Sequence, residues 1–182
     1  SNAQDVQESK DHPMITRYPG SIIGYYEEQN YFVYNIAAGP QTAYKNIDEW
    51  LKIEGKFTRI YYIIKGETTI TEVYRNYISA FEKNGFRIIT DGVEDKSNVS
   101  QKVGGRVFLG TYYEKNPFPS SESINILKGT STVGGTCYIA AHLDKPGTNV
   151  YIVVGGSQYS SNEKVFLVDI IEAAVMEDDL IK

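Results

Sequence analysis

The sequence predicts an α+β fold: a mostly antiparallel sheet with one long amphipathic helix, residues 70–84, packed on one face in a β-α-β unit. Three observations predict it. Residues 57–64 and 86–90 are β-branched and aromatic, the stretch between them repeats with a helical period, and the other apolar runs are separated by turn signals.

The helix is marked at both ends. Thr69-Ile70-Thr71-Glu72 fits a capping box, in which the threonine hydroxyl meets the Glu72 amide and the Glu72 carboxylate reaches back. From there Ile70, Val73, Tyr74, Tyr77, Ile78 and Phe81 draw one apolar stripe, and Gly85 stands where a left-handed residue ends a helix. Ahead of it, residues 57–64 are apolar on both alternating faces, which predicts an inner strand covered on each side. Residues 86–90 are expected to return parallel to that strand through a right-handed crossover.

Elsewhere, residues 22–26 and 31–36 read as two short strands around a Glu27-Glu28-Gln29-Asn30 hairpin turn. Residues 37–48 read as loop, with Trp50 and Leu51 covering a core edge. Residues 91–98 have the composition of an exposed loop, and 106–113 alternate as a strand. Residues 137–143 and 149–154 bracket a Pro146-Gly147 turn, which is the strongest hairpin signal in the chain. A polar loop at 157–163 leads to a last strand at 164–171. Gly104-Gly105, Gly134-Gly135 and Gly155-Gly156 read as turns or bulges at strand ends, because none has the spacing or following helix of a phosphate loop. The domain is expected over residues 11–174. Ser1-Asn2-Ala3 reads as the remnant of a cleaved tag, residues 4–10 as a mobile terminus, and 175–182 as the start of a linker to a downstream domain.

Composition narrows the function. A chain of 182 residues can bury one sizeable core. Its net charge of −5, with Lys and Arg scattered, provides no basic stripe for a nucleic acid. No apolar run is long enough to predict a transmembrane segment. The 15 tyrosines suit half-buried sheet faces and equally suit binding surfaces for glycans or peptides. The one cysteine, Cys137, lies in an apolar strand and reads as a packed thiol.

Chemistry-bearing motifs are sparse. Cys137, His142 and Asp144 hold the residue types of a nucleophile, base and orienter, but on one strand Cys137 points away from the other two. Glu27-Glu28, Glu94-Asp95 and Asp178-Asp179 read as solvated pairs, and two histidines are too few for most histidine metal sites. No catalytic residue, metal site or cofactor is therefore assigned. Arg75 and Asn76 flank the helix beside Tyr74 and Tyr77. They read either as a solvent-facing edge or as a small polar patch joined by His12, Arg17 and Tyr18. On the second reading His12, Arg17, Tyr18, Arg75, Asn76 and Tyr77 are the candidate ligand-binding or interaction residues.

Three ordered stretches carry a resemblance: His12-Pro13 with Arg17-Tyr18-Pro19-Gly20-Ser21, then Glu54-Gly55-Lys56 with Thr58-Arg59-Ile60, then Glu72-Val73 with Arg75-Asn76-Tyr77 and Gly85-Phe86. Together they resemble DUF4892, the uncharacterised N-terminal domain of some bacterial OmpA-family outer-membrane proteins. After Phe86, where that pattern carries cysteines, Asp91 and Val103 stand instead. The resemblance implies export through a signal peptide, a place in the periplasm or at the outer membrane, and a tether to an OmpA-like peptidoglycan-binding domain. The expected function is a non-enzymatic cell-envelope module for binding or positioning, with an envelope protein or glycan as partner. A periplasmic binder of a small or lipidic ligand is the alternative, and a hydrolase comes third.

Overall fold

A computed structural model describes residues 4–96, 100–118 and 134–174. The chain runs β1 (Ile22–Ala37), β2 (Gln41–Ala43), β3 (Asn46–Ile47), β4 (Trp50–Lys65), α1 (Ile70–Lys83), β5 (Arg87–Glu94), α2 (Arg106–Lys115), β6 (Thr136–Lys145), β7 (Thr148–Ser160) and β8 (Glu163–Ala173). Six strands form one antiparallel sheet in the order β1-β4-β8-β7-β6-β5, and β2 and β3 make a small separate hairpin. The expected tag remnant and linker residues lie outside the described residues.

The predicted α+β class is corrected to a largely β fold. Strands take 52% of the described residues and helices 16%, in two short helices rather than one long one. The predicted β-α-β unit is not formed by neighbouring strands, because β8, β7 and β6 lie between β4 and β5. Burial explains the order. Residues 164–171 of β8 are buried on both faces and require a central place, whereas no residue of β5 is fully buried, which suits an edge.

At α1 the Thr69 hydroxyl accepts the Glu72 amide at 3.2 Å, and Ile70, Val73, Tyr74, Tyr77 and Phe81 face the core. Gly85, with φ +81°, takes the left-handed position after the helix. Fourteen residues make only about 21 Å of helix. That length lies against β5, β6 and β7.

Further expectations change, beginning with residues 37–48, read as loop, where β2 and β3 pair as a short hairpin. Residues 22–37 are one strand rather than a hairpin, and the polar stretch before Tyr31 is absorbed as a register shift between Gln29 and Phe32 on the sheet edge. Residues 106–113 are helical rather than extended, since Phe108, Leu109, Tyr112 and Tyr113 fall at helical spacing and bury one face. Asp91 and its neighbours continue β5 rather than forming a loop, with the Asp91 carboxylate taken by the Tyr74 hydroxyl. Gly155 and Gly156 lie inside β7 rather than at its end. A Cβ on Gly155 would stand 2.1 Å from the Tyr113 hydroxyl oxygen, so the backbone there makes room for α2.

Alternation along the strands divides the core in two. Ile60, Tyr62, Ile139, Ile152, Val154, Phe166 and Val168 face α1. Phe57, Tyr61, Tyr138, Val153, Val165 and Leu167 face α2 and the β2–β3 hairpin. On the α2 side, Arg59 and Asp169 interrupt the apolar alternation of the central strands β4 and β8. They are paired, with Nε to Oδ1 at 2.7 Å and Nη2 to Oδ2 at 2.9 Å, and are 2% and 0% exposed at the side chain. Tyr34 of β1 donates its hydroxyl to Asp169, and Tyr112 of α2 donates to Tyr34 at 2.8 Å. Arg59 also donates to the carbonyls of Pro117 and Asn116. Burial opposes the Arg59 charge, but the adjacent carboxylate outweighs it and holds the guanidinium pKa above its ordinary value. Asn116 in turn bridges the Asn35 amide and carbonyl, at 3.3 and 2.8 Å, and so takes the place of a neighbouring strand at that end of β1.

Removing one partner of this buried pair leaves the other charged and desolvated. Arg59→Met is therefore expected to cost about 3–5 kcal/mol, and the double change Arg59→Met with Asp169→Leu to recover much of it. Urea unfolding of the three proteins checks this. Equal losses in the single and double variants would refute the compensation.

Candidate functional site

The candidate residues lie where the N-terminal arm, residues 4–21, crosses α1. Pro13, Pro19 and Gly20, the last with φ +84°, rule out a regular element here and hold the arm in an irregular path. Within residues 4–10, the stretch expected to be mobile, Asp5 and Val6 are bonded to β1. The Val6 amide donates to the Ile23 carbonyl at 3.0 Å, and the Ile23 amide donates to Asp5 at 2.8 Å, so the arm closes the start of the β1 edge.

Arg17 is the centre of this arrangement. Its Nη2 donates to Asp5 at 2.7 Å, its Nε to Asp11 at 3.0 Å, and its Nη1 to the Ser21 carbonyl at 3.1 Å. Asp11 also accepts the Tyr62 hydroxyl at 2.6 Å, and the guanidinium carbon lies 5.6 Å from the Tyr62 ring centre. The bond from Arg17 holds the Asp5 carboxyl below its usual value against the opposing effect of burial, and the same bond raises the pKa of Arg17.

Thr16, Arg17, Tyr18 and Pro19 of the arm face Asn76, Tyr77 and Ala80 of α1 across a cleft of about 150 Å3. Four of the six candidates, Arg17, Tyr18, Asn76 and Tyr77, are brought together here. Tyr77 is buried, and burial pushes its phenol pKa up, so it stays neutral. It packs on Phe166 at 5.9 Å and makes no hydrogen bond among the described residues. Asn76 spends its amide on the Glu72 carbonyl at 2.8 Å. With Arg17 already held by two carboxylates, the cleft presents an apolar wall with few free polar atoms.

The other two candidates lie apart. Arg75 is on the adjacent flank of α1, in a groove with Tyr74, Ile78, Ser79, Glu82 and Lys83. His12 is half-buried beside β8, where its Nδ1 accepts the Met14 amide at 3.0 Å and its Nε2 faces Glu172 at 3.3 Å. An Nδ1 that accepts puts the ring N–H on Nε2, which then donates to Glu172. The residues that sequence reasoning missed are Asp5 and Asp11, which hold Arg17, and Tyr62, which holds Asp11. The aspartates stand in a polar stretch with no periodicity, so nothing local distinguished them from solvated charge.

Cys137, His142 and Asp144 form no triad. Cys137 is packed on the α1 side, while His142 is bonded to Asn149 at 2.7 Å and stacked on Tyr151 at 3.9 Å on the other side. Burial pushes the Cys137 thiol pKa up to about 12. No helix of the described residues is long and apolar enough to cross a membrane. Three aromatic side chains are prominent at the surface, Tyr31, Tyr159 and, at 85% exposure on the tip of the β2–β3 hairpin, Tyr44.

The sequence matches no known protein-family model, and no curated protein matches it significantly.

A thiol reagent at pH 8 is expected to leave Cys137 unmodified in the folded protein and to react fully once it is unfolded, since the thiolate is the reactive form. Mass spectrometry before and after denaturant checks this, and rapid labelling of the folded protein would refute the packed-thiol reading.

Proposed function

We propose that the chain is a non-enzymatic cell-envelope module that binds or positions a partner through the cleft between the N-terminal arm and α1. One observation carries the reading. Residues 17–18 and 76–77, far apart in the sequence, converge on one cleft with an arginine, two tyrosines and a proline, and interfaces are enriched in tyrosine and arginine. At about 150 Å3 the cleft is smaller than the roughly 300 Å3 at which small-molecule pockets begin. That size favours one anchoring group of a larger partner, an envelope protein or glycan, over an enclosed ligand. The space between α1 and the sheet is filled by Tyr77, Phe81 and Phe166, which speaks against the alternative of a small or lipidic ligand held there.

The resemblance to the N-terminal domain of OmpA-family proteins adds the setting. On that reading the protein is exported through a signal peptide, works in the periplasm or at the outer membrane, and is tethered to a peptidoglycan-binding domain. The arm and α1 then form the outward-facing reader of the molecule, and the sheet is its rigid support.

Ala80 and Asn76 are exposed on α1, so bulk can be added at the cleft mouth without entering the core. Ala80→Arg is expected to weaken capture of envelope components about tenfold or more, the loss that a blocked anchor pocket brings. Arg75→Ala, on the other flank, is expected to leave capture intact. Quantitative pull-down from a fractionated envelope, with folding checked by circular dichroism, tests this. Equal capture by the wild type and Ala80→Arg would remove the cleft from the binding surface.

A further inference from the structure

One wall of the cleft belongs to a segment held by ionisable side chains. The arm buries Ile15 and partly buries Met14 and Tyr18. Its ties to the sheet otherwise come, among the described residues, from Asp5, Asp11 and His12, together with a backbone bond from Val6. Asp5 and Asp11 each serve twice. Both take Arg17, and each takes one further donor from the sheet, the Ile23 amide of β1 for Asp5 and the Tyr62 hydroxyl of β4 for Asp11.

We propose that residues 4–21 are an acid-releasable strap: the Asp5–Arg17–Asp11 clamp holds them shut across α1, and loss of the Asp5 charge in acid lifts them while the sheet stays folded. The inference rests on the cleft reading for its consequence, since lifting the strap removes Arg17, Tyr18 and Pro19 from the site.

The groups facing the clamp are few. Asp5 meets the Arg17 guanidinium and the Ile23 amide, and Asp11 meets Arg17, Tyr62 and, less closely, the Tyr77 phenol of α1. The His12–Glu172 pair ties the same arm to β8. A neutral carboxyl group cannot hold the guanidinium by two charge-assisted bonds, so Arg17 is left partly desolvated beside Tyr62. The sign follows from Asp5, whose pKa is lowered in the folded protein. Its contribution is fully present above the ordinary carboxyl value of about 3.9 and is lost as pH falls through the lowered value. The central strands do not depend on the arm, because β7 and β8 are held by apolar packing, by their own ladder and by the Arg59–Asp169 pair.

Amide hydrogen exchange, expressed as protection factors, separates the strap from the sheet. Val6 reports the arm through its bond to the Ile23 carbonyl of β1, Ile15 and Ser21 through turn bonds to His12 and Tyr18 within the arm, and Ile152 and Val168 report the sheet. In Asp5→Asn with Asp11→Asn at pH 7, the three arm amides are expected to lose about tenfold or more in protection, the factor that one pKa unit of coupling represents. The two sheet amides are expected to keep theirs. Wild-type protein taken to about pH 3 is expected to show the same pattern, and Arg17→Lys an intermediate one at pH 7. Loss of protection in all five amides together, or unchanged protection in the arm, would overturn the strap. Envelope capture by the same variants is a separate readout. A strap that opens with capture intact leaves the strap standing and refutes the cleft reading, whereas an unmoved arm refutes the strap alone.

Discussion

The fold turns on a charge pair placed where a sheet protein of this kind would ordinarily put two aliphatic side chains. Arg59 and Asp169 face each other across β4 and β8, two inner strands of the sheet. A buried pair adds little stability unless every remaining hydrogen-bonding group is met. Here the guanidinium reaches two carbonyls beyond its partner, and the carboxylate takes a tyrosine as well. The pair therefore acts as a registration point. It tells β1 where Tyr34 must stand, α2 where Tyr112 must stand, and the chain after α2 where to cross the sheet.

With that point set, the two layers are ordinary packing. Alternation along β4, β7 and β8 sends one set of apolar residues to α1 and the other to α2, so each helix covers its own half of the core. The aromatic content follows from the same geometry. Under α2 Phe108 stacks on Tyr112, while Tyr113 meets Tyr112 and Tyr138 meets both edge to face, and the Tyr112 and Tyr138 hydroxyls donate to the Tyr34 hydroxyl and the Ala37 carbonyl. Most of the tyrosine excess is thus structural. The cleft on the opposite side uses only two of them.

How much of this could be read in the sequence depended on whether the signal was local. Thr69, Glu72 and Gly85 mark the α1 ends because caps are written in adjacent residues, and Pro146-Gly147 marks a turn for the same reason. The order of the strands is a contest for burial that no single stretch records, so the return of residues 86–90 was placed beside the wrong strand. Val107, Phe108, Tyr112 and Tyr113 favour strand by propensity, and only the spacing of their buried faces makes them a helix. In the site, the proximity of Arg17 and Tyr18 to Asn76 and Tyr77 was legible as a shared polar character. The carboxylates that hold Arg17 were not, because a bond from Asp11 to Tyr62 spans 51 residues.

The side chains that finish β1 have a consequence for the molecule among its own copies. Asp5 and Val6 occupy the hydrogen-bonding groups of Ile23 at one end, and Asn116 occupies those of Asn35 at the other. Between them the strand shifts register twice and carries Glu27 and Glu28. Each feature is a known obstacle to strand addition. A long outer strand that could template stacking into fibrils is thereby closed off at both ends and bent between them, and at high local concentration the protein is protected from polymerising through β1.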